Sequence, residues 1–210
     1  MPELRGYHYT NSRAYRSIQT KGIEGFFTGK YDEFTGLIPR RRFVYIGDGH
    51  GLPNAAHDGV IEGLLEPRPT SWIENPEFPD LWRYLMHDIC RKKEVMLLSF
   101  PILRSDKAYV VERAHVEREL YREAKGLGKP TKETRDEAFR RYWESRVRAH
   151  RYDGNYAVPQ LAIWSGIPFE RLQVEWSRPT DDVWNEVLAE SESQKSHVRK
   201  KNAKKIAKSS

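Results

Sequence analysis

The sequence predicts an α+β fold in which short strands of mixed order alternate with inserted helices. Three observations lead there. Tyr7-His8-Tyr9 alternates with period two, and Val95-Met96-Leu97-Leu98-Ser99-Phe100 is a run short enough and apolar enough for a buried strand. Two strongly charged stretches, 112–126 and 133–149, read as helices. No βαβ unit recurs and no internal repeat is present, which argues against a doubly wound parallel sheet.

Taken in order, residues 5–10 form the first strand, with Tyr7 and Tyr9 on one face and His8 on the other. Thr10 or Asn11 caps the next helix, Ala14, Tyr15 and Ile18 recur at helical spacing, and Lys21-Gly22 ends it. Residues 26–42 are a basic, glycine-punctuated loop leading to a strand at Phe43-Val44-Tyr45-Ile46, stopped by Gly47-Asp48-Gly49. Residues 60–65 fit a strand or a helical turn, and the prolines at 67, 69, 76 and 79 make the next stretch irregular. Leu81, Trp82, Leu85, Met86 and Ile89 share one helical stripe. After the buried strand at 94–100 comes a short one at 109–111, then the two charged helices, the second stabilised by Glu137 with Arg141 and Glu144 with Arg148 at i,i+4. A loop at 152–156 leads to a strand at 160–164. Pro159 favours an edge position for it, since proline cannot donate to a ladder. A helical turn at 168–171, a strand at 172–176 and a short helix at 181–188 close the body.

The expected organisation is one domain over residues 1–190 and a disordered basic tail over 191–210. The net charge is +6, but residues 194–210 carry seven basic side chains and no acid, so the other 29 bases face 30 acids. The basicity belongs to the tail, which removes it as an argument for a nucleic-acid face on the body. Hydrophobic residues at 38% suffice for a core. The single cysteine, Cys90, excludes an internal disulfide framework and a multi-cysteine zinc site. It reads as a structural thiol despite Arg91, Lys92 and Lys93 beside it. No apolar run is long enough to span a bilayer and the first residues do not resemble a signal peptide, so a reducing cytoplasmic or nuclear setting is expected.

The residues that stand out for chemistry are few. His8 sits on a short strand before a capped helix, where it can offer a fixed ring donor or simply pack at the domain edge. Tyr45 lies at a strand end beside a glycine-rich turn, where it can stack on a flat heteroaromatic ring or fill the core with Phe43. Gln160 opens an apolar strand just after a loop. Arg40-Arg41-Arg42 can grip phosphate through forked, charge-assisted bonds, or be a solvated loop. Glu112, His115 and Glu119 share one helical face. His50, His57, Asp48 and Asp58 match no metal-ligand spacing, and no metal is expected. The phosphate-loop, dinucleotide-fold and nucleophile-elbow patterns are all missing from the sequence.

Tyr7-His8-Tyr9-Thr10, the helix ending Ser17-Ile18-Gln19-Thr20-Lys21-Gly22-Ile23, Val44-Tyr45-Ile46, and Pro159-Gln160 leading to Gly166-Ile167-Pro168 together resemble the ADP-ribosyltransferase superfamily, in its histidine–tyrosine–acid branch. The resemblance covers residues 7–23, 43–46 and 156–175. It implies split antiparallel sheets around an NAD cleft, and transfer of ADP-ribose from NAD to a protein or nucleic-acid acceptor with release of nicotinamide. It implies that His8, Tyr9, Thr10 and Tyr45 hold NAD, that His8 and Tyr45 orient it, and that residue 160 supports the ribosyl cation; in such a cleft Arg41 and Arg42 would take its pyrophosphate, and the 112–149 helices would be a lid or a target-recognition element. The family usually has a glutamate where this chain has Gln160. A neutral side chain keeps a hydrogen bond but loses the charge term that stabilises a developing cation. Glu170 or Glu175 is then the candidate carboxylate. The alternative is a weak or inactive nucleotide- or nucleic-acid-binding module. A nuclease or phosphotransferase using His8, His57 and the arginines, or a purely structural protein, are the remaining readings.

Overall fold

A computed structural model describes residues 3–23, 61–124, 126, 128, 131–163 and 166–209. The fold is α+β, with two small antiparallel sheets and interspersed helices. The expected strand at 43–46, and with it Tyr45, Arg41 and Arg42, lies outside the described residues, as do His50, His57, Asp48 and Asp58.

Strand β1 (Arg5–Asn11) leads into α1 (Ser12–Lys21), capped by the Asn11 side chain, which accepts from the amides of Arg13 and Ala14 at 3.1 Å each. Gly22 ends the helix at φ 72°, a conformation that favours glycine, and a side chain there would strike the Ile167 carbonyl. β2 (Ile61–Gly63), α2 (Thr70–Ile73) and α3 (Leu81–Ile89) come after it. Next are β3 (Glu94–Pro101), β4 (Ala108–Glu112), α4 (Ala114–Ala124), α5 (Lys132–Glu144) and β5 (Val147–Arg148). The chain ends with β6 (Pro159–Ile163), β7 (Gln173–Pro179) and α6 (Thr180–Ser209).

One sheet has the order β1-β3-β7, the other β2-β6-β4-β5. They meet at an antiparallel bridge between Tyr7 and Leu64, whose amides and carbonyls exchange two 2.9 Å bonds. Close approach at this junction depends on Gly6, because a side chain there would collide with Phe100 and Leu161. Two apolar layers flank the sheets. One gathers Ile18, Leu98, Phe100, Val110, Leu161 and Ile163 under α1. The other gathers Trp72, Trp82, Met86, Val95, Val183 and Val187 between the first sheet and α2, α3 and α6. The α3 stripe falls as the sequence predicts, with Leu81, Trp82 and Met86 buried.

Four features differ most from the sequence reading. Residue 112 belongs to β4 rather than to the first charged helix. The second charged helix stops at Glu144, where the Ser145 amide bonds back to Arg141 and β5 pairs with β4. The expected pairing of Glu137 with Arg141 forms at 2.7 Å. Arg148 instead lies 4.7 Å over the Tyr109 ring, and Glu144 takes Arg140. β6 is an interior strand, not an edge. Pro159 is tolerated because it is the first residue, where one missing donor costs least. Finally, α6 continues to residue 209 where a tail disordered from 191 is expected. Ser191 is buried and bonds Asp80, Lys195 pairs with Asp80 at 2.8 Å, and the Gln194 amide donates to the Asn75 carbonyl at 2.5 Å. A helix so fastened does not fray at residue 190.

Candidate functional site

Strand alternation decides where the predicted residues point. His8 is half-buried and pairs with Leu98, so it lies on the face covered by α1 and the Leu98–Phe100–Leu161 layer. Thr10 shares that face, pairs with Met96 and is 4% exposed. Tyr9 turns the other way. Its ring stands edge-on to Trp82 at 5.3 Å and to Trp176 at 5.7 Å, and its hydroxyl donates to the Pro67 carbonyl at 2.6 Å. Burial first, and then the Glu190 carboxylate, push its phenol above the ordinary range. The structure therefore separates Tyr9 from His8 and Thr10, and its hydroxyl is already spent on the backbone.

Gln160 is 2% exposed, and its carboxamide oxygen accepts the Tyr142 hydroxyl at 2.9 Å. It comes after Pro159 and precedes Leu161, which belongs to the same layer as Leu98. Alternation therefore turns Gln160 to the face opposite His8. The two are not brought to one wall among the described residues. What holds residue 160 is a network built for position. The Glu112 carboxylate accepts from the amides of Ala114, Ala157 and Val158 at 3.1, 2.6 and 2.9 Å, fastening the loop that enters β6. The Glu112 amide donates to Ser145 Oγ at 2.8 Å, Ser145 donates to the Tyr142 carbonyl at 2.6 Å, and Tyr156 donates to the Ser145 carbonyl. Trp72 Nε1 donates to the Pro159 carbonyl at 2.8 Å, while the buried Arg113, paired with Glu117 at 2.5 Å, lies over the Trp72 ring. Glu112 thus has a holding role in place of the helical face shared with His115 and Glu119. The His115 imidazole is held below its usual range, chiefly by burial.

A different cluster gathers polar chemistry on the first sheet, on the face opposite His8. Ser99 is the lone polar residue inside the apolar strand β3 and is fully buried. A buried hydroxyl requires partners, and it has them from both flanking strands. Arg5 on β1 donates to Ser99 Oγ at 2.6 Å and to Gln173 Oε1 at 2.9 Å. Ser99 in turn donates to Glu175 Oε1, a notably close contact, and the Arg5 guanidinium lies 3.7 Å from the same carboxylate. The register brings this about. Ser99 pairs with Gln173 and Leu98 with Val174, but Leu97 pairs with Trp176, which leaves Glu175 as the extra residue of a bulge. A bulge re-aims a side chain. Here it lets Glu175 and Trp176 share a face. The carboxylate and guanidinium are each about one-third exposed, at 32% and 31%, while the serine that orients them is sealed. Arg5 and Ser99 were not singled out by sequence reasoning. The signal available was Ser99 itself, a hydroxyl in an otherwise continuous apolar run.

Glu170, the other candidate acid, lies in an exposed 3-10 turn (Phe169–Arg171). Its neighbour Arg171 forms a two-pronged pair with Asp106 at 3.0 and 2.5 Å and donates to the Pro101 carbonyl at 2.6 Å, tying the approach to β7 to the β3–β4 connection. Burial raises the Asp106 carboxyl, but Arg171 and the Leu103 amide outweigh it and hold the group below the usual carboxylate range. Burial alone lifts the Cys90 thiol to about 11, as suits a packing residue.

No family model, curated protein or solved structure matches the chain. Among the described residues no group of three or more His, Cys, Asp or Glu could hold a metal ion, and no helix is long and apolar enough to cross a membrane.

Proposed function

We propose that the protein binds NAD and transfers ADP-ribose to a macromolecular acceptor, with Glu175 as the carboxylate that supports the ribosyl cation. The chemistry asks for one thing above all: negative charge beside the ribose carbon as its bond to nicotinamide breaks. Nicotinamide leaves with the bonding electron pair. The acceptor's nucleophile then bonds to the same carbon and gives up a proton to the carboxylate or to water. Gln160 cannot supply that charge, and it is closed beneath Tyr142. The observation that carries the proposal is a partly exposed carboxylate oriented by a fully buried hydroxyl, with a guanidinium beside it. In this role Ser99 fixes the rotamer of Glu175. Arg5 holds the carboxylate from the other side and offers its remaining donors to an NAD phosphate. The two small antiparallel sheets agree with the architecture the family resemblance implies. Tyr45, Arg41 and Arg42 keep their expected parts in holding the dinucleotide.

The test is nicotinamide release from labelled NAD by the full chain, with separation of protein, DNA and RNA acceptors afterwards. Release that depends on Glu175 supports the proposal, and release that persists in Glu175→Gln ends it. The second reading, a nucleotide-binding module without turnover, is favoured by the neutral, sealed Gln160. It predicts NAD binding with no release by either protein.

A further inference from the structure

Helix α6 is two helices in charge though one in backbone. Its first thirteen residues, 180–192, contain Asp181, Asp182, Glu186, Glu190 and Glu192 and no base. From residue 194 on it contains Lys195, Arg199, Lys200, Lys201, Lys204, Lys205 and Lys208 and no acid. The acidic half packs on the body, and two of its five acids pair with it. Val183 and Val187 are buried against α3, Glu186 pairs with Arg178 at 2.5 Å, and Glu190 pairs with Arg68 at 2.8 Å. Ser191, Gln194 and Lys195 then fasten the helix to Asp80 and Asn75. At 1.5 Å per residue, the fourteen residues beyond Lys195 extend about 20 Å from that fixed base.

Two arguments say that the basic half is built for a partner. Favourable interaction of cations with a helix dipole reaches only the last turn, whereas these bases begin four turns from the end. The sequence spaces lysines at i,i+4 along this helix, at 200 and 204, 201 and 205, and 204 and 208, and like charges at that spacing are unfavourable to a helix. A helix that stores such repulsion is relieved by a polyanion along its length. The rest of the chain is close to neutral, so the arm carries the attraction by itself.

We infer that the C-terminal half of α6 is a binding arm for the phosphate backbone of double-stranded nucleic acid. The inference leans on the proposed activity only in naming that nucleic acid as the acceptor; binding itself needs no NAD. The test uses the full chain, a fluorescent DNA duplex of mixed sequence and anisotropy over a range of salt, without NAD. The comparison is a variant carrying Lys200→Gln, Lys204→Gln, Lys205→Gln and Lys208→Gln, and a second with arginine at the same four positions. The glutamine variant should lose more than about tenfold in affinity at low salt, and its log–log salt dependence should flatten by about three to four units, near 0.9 per lost phosphate contact. The arginine variant should keep both. Unchanged affinity and slope in the glutamine variant would overturn the inference. So would phosphatidylserine–phosphatidylcholine vesicles bound as tightly as the duplex. Nicotinamide release, measured in parallel on the same proteins, reports separately on Glu175. Duplex binding without release leaves the arm standing and removes the transferase. Release without duplex binding does the reverse.

Discussion

The two sheets carry similar polar residues to opposite ends. On β6, Gln160 is an amide whose oxygen accepts from Tyr142, and it is 2% exposed. On β7, Glu175 is a carboxylate held by a buried serine and an arginine, and about a third of it meets solvent. Burying an amide that is hydrogen-bonded costs little, whereas burying a carboxylate costs several kcal/mol unless it is paired. An interior strand between β2 and β4 can therefore accept Gln160, and β7, an edge strand among the described residues and bulged, can present Glu175. The difference teaches that a site needing charge at the reacting atom belongs on the strand whose register was broken to expose it.

The largest way to break this comparison is Glu175→Gln. Removing one charge aimed at a developing cation costs about 10²–10³ in turnover when that group is the catalytic one. Nicotinamide release should fall by at least that factor while urea unfolding changes little, since the amide still accepts from Ser99. Ser99→Ala should lower turnover less and leave NAD affinity unchanged, because it loosens the carboxylate without removing it. An unchanged rate in both variants returns the site to another strand.

The next effect tests what keeps the sheets in register with each other. Asp106, 6% exposed, and Arg171 join the β3–β4 connection to the approach to β7. Asp106→Ala leaves a largely buried guanidinium without its partner and should cost about 3–5 kcal/mol in urea unfolding at neutral pH. The folded-state pKa of Asp106 is depressed, so its contribution is fully present above the unfolded value of about 3.9 and is lost as pH falls through the folded value. The wild-type advantage over the variant should therefore shrink as pH falls below about 4. A gap that stays constant with pH would mean that Arg171 is held by something other than that charge.

Much of this was legible in the chain. The β1–α1 unit, the α3 stripe and the buried β3 can be read from periodicity and caps, because local pattern and tertiary environment agree there. What escaped were features set by distant partners. Arg5 reads as an ordinary basic residue until Ser99, 94 positions away, is placed beside it. The bulge at Glu175 exists only in the pairing of β7 with β3. Pro159 pointed to an edge strand because a missing donor is usually at an edge, yet the first residue of an interior strand tolerates it as well. The disordered tail was inferred from composition alone. The anchoring of Ser191 and Lys195 to Asp80 is a tertiary contact that charge counting does not contain.

Gln160→Glu sharpens the comparison from the other side. If residue 160 faces a ligand, restoring a carboxylate raises nicotinamide release. If it is sealed as described, the new carboxylate is buried with one hydroxyl partner and its pKa rises. A rise of about two units corresponds to about 3 kcal/mol of lost stability at neutral pH. The sign comes from the raised value: the variant matches wild type below about pH 4.3, the unfolded pKa, and falls behind as pH increases. We expect destabilisation with that pH dependence and no gain in release.

The smallest expected effect isolates the seal itself. Tyr142→Phe removes the hydroxyl that satisfies the Gln160 oxygen and keeps the ring, which stands edge-on to Trp143 at 5.1 Å. Leaving one buried acceptor without its donor costs about 1–2 kcal/mol. Because α5 also buries Ala138 and Trp143, the helix should stay in place. Urea unfolding should show the loss, and NAD affinity and nicotinamide release should not move. A rise in release of about tenfold or more, equivalent to about 1.4 kcal/mol in the barrier, would mean that the Tyr142 hydroxyl stands where a ribose hydroxyl belongs. The second sheet, not the first, would then hold the reacting centre, and Glu175 would be a cross-strand tie.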